Sequence, residues 1–376
     1  MPTTAEAPQT ADRTQRLHNF AAGPATLPEE VLLEAQDELP VYDEAGASVM
    51  EISHRSDTYD DVEESARRRI KELLGAGDEW NVLFLQGGAS MQFHQAPLNY
   101  LGDGRSVDYL ITGRWGKKAI KEAQIVADEH GGGVREAGRG ESETGFTYIP
   151  DRNEWDLNPD AAYLHYTSNN TVAGTQFHET PQADAPLVCD ASSDFLSRPL
   201  DLDPFGIIYA GAQKNVGPAG VTIVLIKDSF LEQRRQPLPT MLDYGTHVRK
   251  RFNTPPAFPI YMVEKVMRWL QDLGGLEAIA ERNDRKAKLL YDRIDQTDFY
   301  EGVVEPEARS MMNVTFRIAD HSLEDEFIEE AERNGLLTLS GHRTVGGLRA
   351  SIYNACPVES IKALVRFMDE FERTRG

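Results

Sequence analysis

Between about residue 80 and residue 230, short runs of β-branched and aromatic residues alternate with stretches in which apolar residues recur at helical spacing. This alternation is typical of βαβ units around a mostly parallel sheet. The strands that the pattern predicts cover residues 81–85, 107–111, 162–166, 187–190, 207–210 and 221–226. Helices are predicted over residues 91–101 and 117–130. The fold class predicted for this part of the chain is therefore α/β, with a mostly parallel central sheet.

The pattern changes after about residue 260, where charged amphipathic helices dominate. They are predicted over residues 260–273, 276–296, 323–334 and 360–373, with short strands over residues 312–317 and 348–352. This mixture is typical of a compact α+β domain. We therefore expect a flexible extension (residues 1–18), a large domain (residues 19–262) and a small C-terminal domain (residues 263–376). The segment up to about residue 30 is expected to pack with the small domain.

Charge and composition limit the classes of molecule that this protein is expected to bind. The 376 residues include 61 acidic and 39 basic side chains, a net charge of −22, so a nucleic-acid surface is not expected. An anionic substrate would need locally clustered cations. The first residues do not resemble a signal peptide, and the apolar runs are shorter than a membrane span. We expect a cytoplasmic protein, and leave open whether its acidity serves salt tolerance or general solubility.

The two cysteines, Cys189 and Cys356, cannot form a disulfide framework, and neither belongs to a CxxC pair. No metal site is predicted.

Three predicted strands end in unusual residues, and ligands of open α/β sheets collect beyond such ends. The first strand runs into Gly87–Ser90, where the amide groups of a helix start could hold a phosphate; a plain strand-helix turn is the alternative. The second ends at Asp190, which could cap the next segment or pair with a protonated ring nitrogen. The third is followed by Lys214 in GAQKNVGPAG. In such a semi-apolar loop its pKa should fall, making the amine a usable nucleophile, unless it lies on a surface turn.

A phosphate cradle, a carboxylate for a pyridine nitrogen and a lysine for an aldehyde together describe the cofactor pyridoxal 5′-phosphate (PLP). A nucleotide P-loop is excluded, because Gln213 and Asn215 replace residues that this motif requires. Trp115, at another strand-to-helix turn, could supply an aromatic surface for the cofactor ring, although a tryptophan is more often part of a core.

Several longer motifs carry a resemblance to a known family. They are NFAAGPATLP, SVMEISHRS, LQGGASMQF, AGAQKNVGPAG, FNTPPAF, SGHRTVGGLRASIYNA and FMDEFERTRG. In this order they resemble the class V, fold-type I PLP-dependent aminotransferases, and among these the phosphoserine aminotransferase family. Only the first eighteen or so residues lie outside the resemblance.

The resemblance implies a role for each matching residue. Lys214 corresponds to the Schiff-base lysine and Asp190 to the partner of the ring nitrogen. The further residues implied to hold the cofactor are Ala89, Ser90, Trp115, Thr171 and Gln213, with Asn253 and Thr254 reaching it from the partner subunit of a homodimer. Those implied to bind substrate anions are His54, Arg55, His342, Arg343 and Arg349. Some members carry an arginine where this chain has Ser90.

The resemblance also implies the reaction. Glutamate would donate its amino group to 3-phosphohydroxypyruvate, giving O-phosphoserine and 2-oxoglutarate for serine biosynthesis, and the 4-phosphohydroxythreonine precursor of PLP would be aminated too. Three alternatives stay open: an alanine-glyoxylate-type aminotransferase, a PLP-dependent desulfurase that would use Cys356, and a PLP-binding regulator without catalysis.

Overall fold

The computed structural model of the protein describes residues 16–102 and 104–376. The predicted flexible extension therefore lies almost entirely outside the described residues. The strands are β1 His18–Asn19, β2 Trp80–Leu85, β3 Ser106–Ile111, β4 Gly133–Arg139, β5 Glu141–Ser142, β6 Gly145–Phe146, β7 Leu164–Thr167, β8 Leu187–Asp190, β9 Phe205–Gly211, β10 Thr222–Lys227, β11 Tyr300–Gly302, β12 Asn313–Ile318, β13 Leu336–Leu337 and β14 Leu348–Ser351. The α-helices are α1 Glu29–Glu38, α2 Asp57–Leu74, α3 Gly88–Tyr100, α4 Arg114–His130, α5 Asp228–Leu231, α6 Tyr244–Arg249, α7 Ala257–Asp272, α8 Gly275–Ile294, α9 Glu324–Arg333 and α10 Val358–Arg375.

The central sheet has seven strands in the order β2, β10, β9, β8, β7, β3 and β4. Strand β10 runs antiparallel to both of its neighbours, and the other pairings are parallel. The chain between β9 and β10 is too short for the crossover that a parallel pair needs, so β10 turns back beside β9. The prediction of an α/β fold with a mostly parallel sheet is confirmed.

The predicted elements are present with shifted ends, but some helices and strands of the structure were not predicted. The strand predicted over residues 162–166 is observed as β7, which begins two residues later. The pattern missed β4, because this edge strand is half-exposed and lacks an apolar run. An exposed edge strand leaves a weaker apolar signal than a buried strand. Helix α2 was missed as well, although its buried positions between Tyr59 and Leu74 recur at helical spacing and pack on the first core.

Helices cover both faces of the central sheet. One apolar core joins the sheet to α2 and α7, and a second joins its other face to α3 and α4. A third core fills the C-terminal part around the antiparallel sheet β11-β12-β14. Helix α8 contributes Leu276 to the first core and Leu290 to the third. The predicted domain boundary at residue 262 remains a prediction.

The N-terminal segment packs with the C-terminal core. Strand β1 pairs in parallel with β13, and Phe20 is fully buried in the third core. None of the helices in the described ranges combines the length and the apolar character needed to cross a bilayer.

The turn before α4 brings two strand ends into close contact. A Cβ atom added to Gly113 would lie 1.9 Å from the side-chain oxygen of Asn170. The amide of Asn170 in turn donates to the hydroxyl of Thr112 at 2.9 Å. Only glycine therefore fits at position 113, because any side chain would displace the loop that leads to Thr171.

We expect Gly113→Ala to lower the free energy of unfolding by about 1–3 kcal/mol, because a methyl group must be forced into a filled space. Binding of PLP, the cofactor that the sequence predicts, should weaken as well, since the loop that leads to Thr171 would have to move. Gly116→Ala is the matched control, because a Cβ there would be 3.5 Å from its nearest neighbour, an ordinary contact. Melting temperatures and PLP titrations of both variants make the comparison, and equal stability of the two would contradict this account.

Candidate active site

A cavity of about 480 Å³ lies where the carboxyl ends of β2, β3, β7, β8 and β9 meet. Parallel strands point these ends to the same edge of the sheet, so residues distant in sequence become neighbours there. Arg349 on β14 and His342 on the loop before β14 close the cavity from the other side. The predicted convergence of the three strand ends is therefore observed.

The turn between β2 and α3 supplies main-chain donors. Gly87 has a φ of 92°, in the left-handed region, and a Cβ there would lie 2.6 Å from the Cβ of Met91. Within the described residues no side chain caps the start of α3. The amide groups of Gly88, Ala89 and Ser90 are therefore available to an anion, which the positive end of the helix dipole also favours.

Asp190 ends β8 and is 3% exposed. Its Oδ1 accepts the hydroxyl of Ser192 at 2.6 Å and the main-chain amide of the same residue at 3.1 Å. The amide of Gly211 donates to the Ser192 hydroxyl, which fixes its direction. Burial raises the pKa of Asp190, while these hydrogen bonds and the charge of Lys214 work the other way. A cationic N–H partner would favour the ionised carboxylate.

Lys214 lies on the turn between β9 and β10, and its Nζ donates to the hydroxyl of Thr171 at 2.6 Å. Burial lowers the pKa of Lys214 to about 8, although the charge of Asp190 opposes this shift. This confirms the lowered pKa predicted from the sequence. Among the described ion pairs there is none between Lys214 and Asp190, so the amine and the carboxylate stay separately available.

Thr171 connects the amine of Lys214 to the guanidinium of Arg349 on β14. Its main-chain oxygen accepts Nη1 of Arg349 at 3.2 Å, while its hydroxyl accepts Lys214. The Nε of Arg349 is buried and has no partner within the described chain. A substrate carboxylate could therefore bind Arg349 close to the amine of Lys214.

His342 lines the mouth of the cavity, and its ring has a defined tautomer. Its Nδ1 contacts both the main-chain amide of Thr344, at 3.2 Å, and the hydroxyl of the same residue, at 2.8 Å. Because the amide can only donate, Nδ1 is an acceptor and the ring hydrogen belongs on Nε2. Burial lowers the pKa of His342, and nearby positive charges, of which Arg114 is the strongest, lower it further.

The structure brings most of the predicted site residues together. Those that line the cavity are Ala89, Ser90, Trp115, Thr171, Asp190, Gln213, Lys214, His342 and Arg349. Those that do not line it are His54, Arg55, Asn253, Thr254 and Arg343. The second group forms its own contacts: Asn253 donates to Gln86 at 2.8 Å, and the carbonyl of His54 accepts Arg251.

Sequence reasoning missed several lining residues, namely Ala22, Gly23, Thr167, Asn169, Val172, Ser192 and Ser193. Ser192 and Ser193 directly follow Asp190 in LVCDASS, so their position after a strand end was a usable signal. Asn169 lies two residues after the end of β7 and carried the same signal, but its partner Asn313, 144 positions away, could not be predicted.

The donor set fits PLP. The start of α3 can hold a phosphate, buried Asp190 can face a protonated ring nitrogen, and Lys214 offers an amine whose pKa is already lowered. Trp115 borders the same cavity. Each chemical group of the cofactor therefore has a matching group in the protein.

Comparison with known proteins defines the class. Residues 17–364 match the Aminotransferase class-V family, and the chain belongs to it. It is therefore a PLP-dependent aminotransferase, as the sequence predicted. Much more distant relatives share the fold alone, such as an alanine–glyoxylate aminotransferase from Nostoc sp., with 16% identity and a TM-score of 0.77.

Closer relatives define the branch of the family. The chain is 52% identical over 363 residues to the phosphoserine aminotransferase of Laribacter hongkongensis, covering 96% of this chain and 99% of that protein. The solved phosphoserine aminotransferase of Bacillus circulans subsp. alkalophilus is 48% identical, with a TM-score of 0.92 over 96% of this chain and 99% of the other. A PLP-bound phosphoserine aminotransferase from Trichomonas vaginalis is 40% identical, with a TM-score of 0.90 over 94% of this chain and 100% of the other. Within class V, the chain belongs to the phosphoserine aminotransferases.

The pKa of Lys214 predicts how the ligand-free protein captures PLP. Only the neutral amine can condense with an aldehyde, so the capture rate should rise with pH and level off above about 8. Thr171→Val should move the midpoint to lower pH, because the hydroxyl stabilises the charged amine. Thr175→Val removes a buried hydroxyl that bonds Thr112, so it serves as the control. Stopped-flow absorbance after PLP addition measures the rate, and a midpoint near 10.5, the ordinary value for lysine, would refute the assignment.

Proposed function

We propose that this enzyme transfers the amino group of glutamate to 3-phosphohydroxypyruvate, forming O-phosphoserine and 2-oxoglutarate. The observation that carries the proposal is the arrangement of an amine, a carboxylate and an arginine around one cavity: Lys214, Asp190 and Arg349. The phosphorylated substrate is supported by the names of relatives that match nearly the whole chain. Serine biosynthesis would consume the product. The 4-phosphohydroxythreonine precursor, with its longer skeleton, is proposed as a further acceptor.

Each residue of the cavity has a task in this reaction. Bound PLP would act as an electron sink for the carbanion formed at the substrate Cα. Ala89, Ser90 and Gln213 would hold its phosphate, Thr171 its ring oxygen and Trp115 its ring face. Asp190 would keep the ring nitrogen protonated. Lys214, with a pKa of about 8, can take the proton from the substrate Cα and deliver it again as a general acid.

Four cations around His342, a residue that lines the cavity, favour substrates with two anionic groups. Within the described residues Arg114, Lys118, Arg343 and Arg349 form no ion pair with a carboxylate, although acidic residues far outnumber basic ones. All four lie close enough to His342 to affect its pKa. Arg114 and Arg349 are half-buried, and an unpaired guanidinium is costly there unless an anion binds it, whereas Lys118 and Arg343 are exposed. Arg349 would take the α-carboxylate, and the His-Arg pairs would take the distal phosphate or γ-carboxylate.

The geometry disfavours a desulfurase. Such an enzyme needs a mobile, reactive thiolate, but Cys356 is 1% exposed and burial raises its pKa. The residue does not line the cavity. A regulator without catalysis would have little use for the unpaired arginines.

The choice of acceptor tests the proposal. With glutamate as donor, the PLP-loaded enzyme should prefer 3-phosphohydroxypyruvate to glyoxylate by at least about a hundredfold in kcat/KM, because glyoxylate leaves the distal cations unpaired. The same assays on Lys214→Ala should show no turnover with either acceptor. Preference of the wild-type enzyme for glyoxylate would instead identify an alanine-glyoxylate-type aminotransferase.

We also propose that the enzyme acts as a cytoplasmic homodimer with shared sites. His54, Arg55, Asn253 and Thr254 do not line the cavity of their own subunit, which is expected if they complete the partner's cavity. Large apolar side chains next to them in sequence are exposed, with Met50 at 57% and Phe252 at 41%. These exposed apolar side chains are available for contact with a partner subunit.

Subunit mixing tests the shared site. Lys214→Ala and Arg55→Ala should each be nearly inactive alone, but a mixture that exchanges subunits should recover about a quarter of wild-type activity, because half of the dimers then carry one intact site. Mixing Lys214→Ala with Arg349→Ala is the matched control: both residues line the cavity of the same subunit, so each site of a mixed dimer lacks one of them and the mixture should stay inactive. If the Arg55 mixture also stays inactive, Arg55 serves the cavity of its own subunit.

A further inference from the structure

A chain of buried hydrogen bonds begins at Ala22, which lines the cavity, and passes through the small antiparallel sheet. It ends at the loops that follow β7 and β8 of the central sheet. Its members Tyr353, Asn313, Asn169 and Ser193 are each at most 2% exposed. The proposed reaction gives no task to Tyr353 or Asn313. Buried polar groups are costly, so a network of this size calls for an explanation.

The first part of the network connects Tyr353 to the cavity wall. Its hydroxyl donates to the main-chain oxygen of Ala22, which lines the cavity, at 2.8 Å. The same hydroxyl accepts Nδ2 of Asn313 at 3.1 Å. The second hydrogen of this amide goes to the hydroxyl of Ser351 at 2.9 Å.

The second part reaches the central sheet. Oδ1 of Asn313 accepts the amide of Asn169 at 2.8 Å, and the other hydrogen of that amide goes to Ser193 at 2.8 Å. The hydroxyl of Ser310 donates to Oδ1 of Asn169. Every donor and acceptor of both amides therefore has a partner, so each amide group can adopt only one orientation.

This network lies beside the residue proposed to bind the substrate α-carboxylate. In the pairing of β12 with β14, Asn313 lies opposite Ser351 and Thr315 lies opposite Arg349. Arg349 is therefore fixed relative to Asn313 by the sheet. Asn169 and Ser193 lie on the loops after β7 and β8, the strand that ends at Asp190.

The only hydrogen bond from the Arg349 side chain found within the described residues goes to the main chain of Thr171. Since this bond alone would let the guanidinium move, its place in the cavity depends on where β14 is held.

We propose that Tyr353 and Asn313 are positioning residues that hold Arg349 at a fixed distance from Lys214, so that the substrate carboxylate is bound in register with the amine. They act through Arg349 and do not touch the substrate. The inference rests on the proposed role of Arg349. Glutamate and 3-phosphohydroxypyruvate both carry an α-carboxylate, so loss of this positioning should raise KM for both by the same factor. A change at the site of the distal anion would instead affect the two substrates differently.

Tyr353→Phe is the test, because it removes one hydroxyl and keeps the ring. In the PLP-loaded enzyme the KM values for glutamate and for 3-phosphohydroxypyruvate should rise by the same factor, about three- to tenfold, with a smaller change in kcat. Binding of glutarate, a dicarboxylate without an amine, should weaken by a similar factor in calorimetry. Tyr300→Phe is the matched control: its buried hydroxyl also donates to a main-chain oxygen, that of Met368, in the third core. It should lower the melting temperature similarly and leave KM unchanged.

A double-mutant comparison separates positioning from general stability. If Tyr353 acts through Arg349, Tyr353→Phe should add little to the KM of Arg349→Lys, whereas independent effects would multiply. Ser351→Ala, which removes another partner of Asn313, is a milder second variant and should shift both KM values in the same direction.

The proposal would be overturned if Tyr353→Phe and Ser351→Ala left the KM values and the glutarate affinity unchanged. It would also be overturned if the effects of Tyr353→Phe and Arg349→Lys on KM multiplied in the double variant. A wild-type enzyme that rejects 3-phosphohydroxypyruvate would refute the proposed acceptor only, because glutamate and glutarate still test the positioning.

Discussion

The site depends on keeping an amine and a carboxylate in one buried cavity without letting them pair. Lys214 donates to the neutral hydroxyl of Thr171, and Asp190 accepts from Ser192. A direct ion pair would hold the amine in its charged form and occupy the carboxylate, and both groups would then be lost to a cofactor. Because the partners are neutral, burial can lower the pKa of Lys214 while Asp190 keeps a free oxygen for a cation.

This arrangement requires a rigid surrounding. The cavity is bounded by loops from five strands of one sheet, by Arg349 of the small antiparallel sheet and by His342 on the loop before it. Loops of this kind would move independently unless their buried polar groups were satisfied. The hydrogen bonds among Asn169, Ser193 and Asn313 satisfy several of these groups and connect the two sheets. The same network that removes the desolvation cost of these groups therefore also fixes the distance across the cavity.

Electrostatics complements this geometry. A chain with a net charge of −22 repels anions over most of its surface. Around His342, however, four cations lack acidic partners within the described residues, and their charges lower the pKa of its ring. Anions are therefore attracted to the cavity and repelled by most of the remaining surface.

The amino-acid sequence by itself determined the alternation of strands and helices, the three strand ends and the identity of the cofactor. Those features are local: an apolar run predicts a buried strand, and a lysine between two such runs predicts a lowered pKa. Edge strand β4 escaped prediction because its half-exposed residues form no apolar run, whereas helix α2 does carry a periodic apolar signal that the prediction did not use.

Only the tertiary structure decided which residues share the cavity. Asn169 meets Asn313 across 144 positions, and Tyr353 meets Ala22 across 331. Contacts at that separation leave no periodic or spacing signal, since they arise from the packing of whole domains. The structure also separated the residues that the family resemblance implies for substrate binding into those that line the cavity of this chain, such as His342, and those that do not, such as His54. Distance in space, unlike residue type, is set only when the chain has folded.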